Sequence, residues 1–271
     1  MSGAEKVGGV PGLLEGRVAI VTGIGPGLGR DVALLFARHG ASLAIAARNA
    51  ERVAKVAAEV EALGRDVVAI PTDITDREAC RALVDACLER FGRVDVLVQN
   101  GHLDGDYKHV ADSDPDDWRA IMEVNLFGAL HLVQAVLPSM RAQRDGRIVL
   151  MNSGASTDPP PTLGAYAASK AALASLVRTL AVEVGPEGIR ANGIQLGPME
   201  GENLRGYVEG LAKAAGRSYE EELAIYNQQF ATRALPTTEE CAGTALFLAS
   251  DLALPITGQS IAVNGGNWFL T

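Results

Sequence analysis

The chain has 271 residues with a formal net charge of −9, and 48% of them are apolar while only 5% are aromatic; this suits one α/β domain with a core of small aliphatic side chains. The acidic balance argues against a nucleic-acid partner, which needs a basic stripe. Three cysteines, Cys80, Cys87 and Cys241, have neither disulfide nor metal-ligand spacing, so reduced intracellular thiols and no metal centre are expected.

Residues 1–13 are glycine-rich and lack a cationic start followed by an apolar stretch, so they read as a loose tail rather than a secretion signal. A single domain is expected over 14–271. It opens with a strand, Val18–Val21, that runs into Gly23, Gly25, Gly27 and Gly29 and then an amphipathic helix from near Arg30 carrying Val32, Leu35 and Phe36. Glycines at such a turn let the backbone approach a pyrophosphate closely, and the helix start offers it unpaired N–H groups. The spacing G-x-G-x-x-G fails, because its last glycine falls on Leu28, whereas Thr22-Gly23-x-x-x-Gly27-x-Gly29 fits. Ile24 and Leu28 are counted with these glycines as the cofactor cradle.

Further strands are expected at Leu43–Ala47, Val67–Ile70, Val94–Val98, Ile148–Met151, Ala191–Leu196 and Ile261–Val263. Helical stretches begin near Ala50, Asp76, Asp114, Leu163 and Thr238, two of them with Ser, Thr or Asp near the N-cap and acids in the first turn. Uniformly apolar strands separated by helices imply a parallel sheet covered on both faces. The fold class is therefore α/β, a doubly wound, Rossmann-type sheet of about seven strands, with ligands at the carboxyl ends of the strands. Arg48 follows the second strand, Asp73 and Ile74 the third, Asn100 the fourth, Ser153 the fifth and Met199 the sixth, so one site can gather them. Residues 199–236 lack strand character and read as a helical insertion at the rim, a substrate lid whose candidate inner face is Tyr207, Leu211, Tyr226 and Phe230. No uninterrupted apolar run reaches membrane-spanning length, since "CAGTALFLASDLALP" is broken by Asp251 and Pro255. The cytoplasm is the expected location, with no membrane partner.

Tyr166 and Lys170 carry the chemistry. They lie four apart in a stretch with helical periodicity and no proline, so they share a helix face. A free phenol has a pKa near ~10, too high to trade protons readily at neutral pH. A cation ~4 Å away at an effective dielectric of ~20 favours the phenolate by ~4 kcal/mol, roughly three pKa units. The pair can thus make tyrosine a general acid or base. Taken alone the spacing also fits a solvated helix face; the glycine turn and the converging strand ends set it apart.

Together these residues resemble the short-chain dehydrogenase/reductase family, from about Leu14 to the C-terminus. Tyr166 and Lys170 look like its Y-x-x-x-K, and Ser153, thirteen residues before Tyr166, like its catalytic serine. Asn125 looks like the asparagine that completes its tetrad, Asp73-Ile74 like its adenine-contacting pair, and "GQSIAVNGG" like its last strand. The resemblance implies hydride exchange between a nicotinamide and an alcohol or carbonyl. Tyr166 would handle the proton and Ser153 would hydrogen-bond the substrate oxygen. Lys170 would tune the phenol and bind the nicotinamide ribose, and Asn125 would hold a relay water. Asn100, Tyr166, Lys170 and the Met199 backbone are also implied cofactor contacts. NADP(H) is modestly favoured over NAD(H), because Ala47 replaces the acid usual in NAD-binding members and Arg48 can grip a phosphate. Three departures stand out: Gln99-Asn100-Gly101-His102 in place of N-N-A-G, Leu196-Gly197-Pro198 where Pro-Gly is usual, and Pro26 in place of a common loop serine. Two other readings stay open, a catalytically weak dinucleotide-binding regulatory protein and a lyase or isomerase using the same Tyr/Lys pair. Apolar residues on several faces of the helices around 118–140 and 166–184 imply a homo-oligomer, a tetramer or a dimer. The substrate itself is not legible.

Overall fold

The computed structural model describes residues 12–269, so most of the expected tail lies outside the described residues. Seven strands form one sheet in the order β3-β2-β1-β4-β5-β6-β7, every neighbouring pair parallel. They are β1 (Val18–Thr22), β2 (Ser42–Ala47), β3 (Val67–Pro71), β4 (Val96–Gln99), β5 (Gly146–Ser153), β6 (Ile189–Leu196) and β7 (Ser260–Val263). The order reverses between β1 and β4, the switch point at which doubly wound sheets open a crevice.

Helices cover both faces, because β1, β4, β5 and β6 are buried along nearly their whole length and must be sheathed on each side. One face carries α1 (Leu28–Arg38), α2 (Ala50–Ala62) and α9 (Thr238–Ala249), through residues such as Val32, Phe36, Val56 and Leu246. The other carries α3 (Arg77–Phe91), α5 (Gly128–Gln143) and α6 (Gly164–Val184), through Leu83, Leu132, Val136 and Val177. All three cysteines are buried free thiols in these layers. The two expected capped helix starts hold: Asp76 caps α3 by accepting from Glu78 N and Ala79 N, and Asp114 caps the helix that begins at Pro115 by accepting from Asp116 N; Thr237 adds a capping box with Glu240 at α9.

The stretch from Asp114 departs from one regular helix. It is α4 (Pro115–Met122), a π-helical turn over Glu123–Phe127, and then α5. This run, Pro115–Gln143, is long and apolar enough by composition to cross a membrane, although Glu123, Asn125, His131 and Gln134 interrupt it. Here it lines the core instead, with Ile121, Leu132, Val133 and Met140 buried. The insertion forms α7 (Glu202–Ala215) and α8 (Tyr219–Asn227), with a small core of its own made by Val208, Tyr226, Phe230 and Leu235. Of the four residues expected on its inner face, Tyr226 and Phe230 are buried in that core, Leu211 is half-buried and Tyr207 is exposed.

Candidate active site

The carboxyl ends of β1, β4, β5 and β6 meet the N-terminal part of α6. Lys170 is 2% exposed, reaches across to β5, and donates from Nζ to the Met151 carbonyl at 2.8 Å. Its Nζ lies 5.6 Å from the centre of the Tyr166 ring. The Ser153 hydroxyl, at the end of β5, lies near enough to the Tyr166 phenol to favour its ionised form and accepts from Ala155 N at 3.2 Å. Ser153, Tyr166 and Lys170 therefore form one cluster.

Burial dominates the electrostatics of this cluster. It pushes the Tyr166 phenol above its ordinary value, against the pull of the Ser153 hydroxyl, and the negative charge of Asp104 adds to the rise. Burial lowers the Lys170 ammonium to about 8, and Asp104 offsets part of that. The phenol-lowering effect expected of Lys170 is not what sets the Tyr166 phenol here: desolvation leads for both groups and disfavours the charged form of each.

Asn125 sits in the π-helical turn, fully buried. Its amide donates to the Leu103 carbonyl at 3.0 Å and to Ser169 Oγ at 2.9 Å, while its oxygen accepts from Leu103 N at 2.8 Å. Ser169 Oγ donates in turn to the Tyr166 carbonyl at 2.7 Å. Asn125 therefore ties the loop after β4 to the turn of α6 between Tyr166 and Lys170. Ser169 escaped the sequence reading, although its place three residues after Tyr166 on a buried helix face was the available signal.

The residues proposed to hold a dinucleotide line the next stretch of the same edge. Gly23 has φ 72°, and a Cβ there would fall 2.3 Å from Gly101 N; at Gly29 it would fall 2.3 Å from the Gly23 carbonyl oxygen. Only glycine lets the β1 turn pack against the β4 loop so closely. Gly27 is the N-cap of α1 and offers no side-chain cap, and the buried Thr22 hydroxyl has no hydrogen-bond partner. Uncapped N–H groups at a helix start beside an orphaned hydroxyl fit an anionic pyrophosphate. Asn100 Nδ2 donates to the Gly23 carbonyl at 3.0 Å and Ile24 N to the Ala46 carbonyl at 3.2 Å, fixing the cradle. Ile24 and Leu28 are buried beneath it. Ile74 packs under the same corner, within 3.2 Å of where a Gly101 Cβ would stand. Arg48 and Asp73 are exposed; the Thr75 N–H and hydroxyl and the Arg48 charge hold the Asp73 carboxyl below its usual range. Met199 is half-buried and packs its side chain on the core, leaving its main chain at the end of β6.

On the other side of Tyr166 an open cleft is lined by Asp104, Tyr107, Trp118, Leu163 and Tyr166 among others. Trp118 lines this cleft, and Trp268 lies beside Gly154. A Cβ on Gly164 would lie 3.3 Å from the Trp118 ring, and one on Gly154 would lie 2.6 Å from the Trp268 indole, so Trp268 closes over the residue next to Ser153. The sequence reading singled out neither tryptophan.

The chain matches the short chain dehydrogenase family model over residues 17–212. It is 34% identical over 253 residues to the 7alpha-hydroxysteroid dehydrogenase of Escherichia coli (strain K12), spanning 93% of this chain and 94% of that one. Among solved structures it resembles L-sorbose reductase from Gluconobacter frateurii complexed with NADPH and L-sorbose, with a TM-score of 0.88 and 28% identity over 93% of this chain and 97% of that one. It also resembles NAD+-bound xylitol dehydrogenase, with a TM-score of 0.85 and 31% identity over 93% and 99% of the two chains.

Proposed function

The chain belongs to the short-chain dehydrogenase/reductase family of NAD(P)-dependent oxidoreductases, and from that premise we propose that it interconverts an alcohol and a carbonyl with Tyr166 as the general acid/base. The observation that carries this reading is the Ser153 hydroxyl meeting the Tyr166 phenol beside a buried ammonium. When bound, the nicotinamide dinucleotide supplies the hydride acceptor or donor. The chain's own residues position the substrate and move the proton.

In reduction, the substrate oxygen would lie between Ser153 Oγ and Tyr166 Oη. Ser153 donates to it where negative charge gathers, and Tyr166 releases the phenolic proton to it. In oxidation the phenolate takes that proton back. Lys170 holds positive charge below the ring, and the Met151 carbonyl anchors its Nζ at 2.8 Å. Because the Asn125 side chain is engaged by Leu103 and Ser169, a relay through Asn125 would use its main chain. Gly23, Ile24, Gly27, Leu28 and Gly29 would cradle the pyrophosphate, with Asp73, Ile74 and Arg48 at the adenosine end. Asn100, Lys170 and the Met199 backbone would serve the nicotinamide end. Ala47 and Arg48 support NADP(H) modestly over NAD(H).

The segment 199–236 would act as the lid, its own apolar core letting it shift as a unit. The cytoplasm suits the three buried thiols, which burial pushes up to about 12 and so keeps unreactive. A homo-oligomer, tetramer or dimer, would cover exposed apolar residues such as Phe127 and Val182, the latter 79% exposed; a monomeric mass by light scattering would refute it. The mechanism is tested by Tyr166→Phe. Turnover is expected to vanish while cofactor affinity stays within a few-fold, and a variant retaining more than about a tenth of the rate would remove Tyr166 from its role.

A further inference from the structure

The loop after β4 carries a histidine whose surroundings the proposed reaction does not use. His102 Nδ1 lies 3.2 Å from the Asn100 carbonyl oxygen. A carbonyl only accepts, so the proton sits on Nδ1 and Nε2 keeps its lone pair. Nε2 faces Asp104 Oδ1 at 3.5 Å, longer than a direct hydrogen bond of ordinary strength. Desolvation by the surrounding loop and the nearby Lys170 charge lower the imidazole pKa, which favours the neutral ring, although the side chain stays 45% exposed. Two acceptors therefore face one another with no proton between them, and the imidazole stands edge-on to Tyr166 with ring centres 6.5 Å apart.

We propose that His102 Nε2 and the Asp104 carboxylate form a hydroxyl-reading subsite, accepting hydrogen bonds from a substrate hydroxyl on the carbon next to the one that reacts at Tyr166. The preferred substrates are then uncharged α-hydroxy ketones and vicinal diols. An anionic substrate would meet the Asp104 charge, and a cationic one would bring a second positive charge towards the buried Lys170 ammonium. A bare hydroxyl satisfies both acceptors without either penalty. A site built to hydrogen-bond a substrate hydroxyl discriminates against the analogue lacking it, because acceptors that the bound substrate screens from water are then left unpaired. This inference rests on the oxidoreductase reading for its reacting carbon.

The test compares kcat/KM for hydroxyacetone, acetone and aminoacetone in the wild type, His102→Leu, His102→Gln and Asp104→Asn. The wild type is expected to favour hydroxyacetone over acetone by about tenfold or more. His102→Leu, which fills the space without an acceptor, should cut that ratio at least about fivefold, and His102→Gln, whose amide oxygen accepts, should restore most of it. Asp104→Asn should also reduce it. A Leu variant with the wild-type ratio, a Gln variant no better than Leu, or a wild type that prefers aminoacetone would overturn the subsite. Calorimetric titration of propylene glycol and isopropanol, with and without NADPH, provides a second readout independent of turnover. If the wild type turns over no alcohol or ketone with either cofactor, the oxidoreductase reading falls and the calorimetry alone decides. Glycol binding that is lost in His102→Leu sustains the subsite; equal binding in both proteins, or none in the wild type, overturns it.

Discussion

The two ends of the sheet treat buried charge in opposite ways. At the amino ends of the strands, Asp95 is fully buried and takes the Arg93 fork at 2.6 and 2.9 Å, together with the Val18 N–H at 2.8 Å. Arg147, 3% exposed, sets one terminal nitrogen 2.6 Å from Asp145 and the other 2.7 Å from Asp251. Arg17 joins Asp95, Asp145 and Asp251. At the carboxyl ends, among the described residues, no carboxylate lies within ion-pair distance of Lys170, whose Nζ bonds a neutral carbonyl. The buried Thr22 hydroxyl, Gln99 carbonyl oxygen and Asn152 amide nitrogen there have no hydrogen-bond partners. One end compensates its charges; the other keeps polar groups desolvated and uncompensated, the condition under which protonation states are readily perturbed.

Cutting the compensated end should give the largest change in stability. Asp95→Ala leaves Arg17, Arg93 and the Val18 N–H without their shared acceptor, and loss of one partner of a buried pair costs about 3–5 kcal/mol. Urea unfolding should show that loss while kcat of the folded fraction stays unchanged, because Asp95 lies at the end of the sheet opposite Tyr166. A loss under about 1 kcal/mol would mean the amino-end network contributes little.

The converse change at the other end should stabilise. Lys170 titrates at about 8 in the folded chain against an ordinary value of 10.5, so between those values the unfolded chain binds more protons and stability rises with pH. Below pH 8 the full burden, about 3 kcal/mol, is present. Lys170→Met removes it but strips the Met151 carbonyl of a donor, so a net gain of about 1–2 kcal/mol is expected at pH 7, shrinking towards pH 10, with turnover lost. Unfolding curves at the two pH values measure this. A Met variant less stable than wild type at pH 7 would mean the ammonium is better compensated than its neighbours suggest.

That contrast also explains what the sequence made legible. Strand and helix periods are local, and so are the glycine turn and the Tyr166/Lys170 spacing, so the fold class and the cluster at Tyr166 follow from short windows. The Asn125–Ser169 tie needs the π-helical turn at Glu123–Phe127 to aim the amide inward, and no local pattern announces that turn. Trp268 over Gly154 joins positions more than a hundred residues apart, and the paired acceptors of His102 and Asp104 depend on a loop conformation fixed by the Leu103–Asn125 bonds. The amino-end ion network was missed for the same reason. Its members are spread from Arg17 to Asp251, and each by itself reads as a surface charge.

The smallest expected effect concerns a charge at the carboxyl end that remains in solvent. Arg48 follows Ala47 at the end of β2, is exposed, and forms no ion pair among the described residues. Its charge is nonetheless felt by Asp73, which lies after β3 on the adjacent strand end. A guanidinium placed there can take a 2′-phosphate by two parallel hydrogen bonds, a geometry that an unphosphorylated ribose does not offer. Arg48→Ala is therefore expected to weaken NADP(H) about tenfold, some 1.4 kcal/mol, and NAD(H) less than about twofold. Because the contact is solvent-exposed, the NADP(H) loss should itself shrink as salt is raised from low to physiological strength. Titrating both cofactors by nicotinamide fluorescence at two ionic strengths measures each arm. Equal losses for the two cofactors would mean that Arg48 orders the loop rather than reading the phosphate, and the preference for NADP(H) would lose its structural basis.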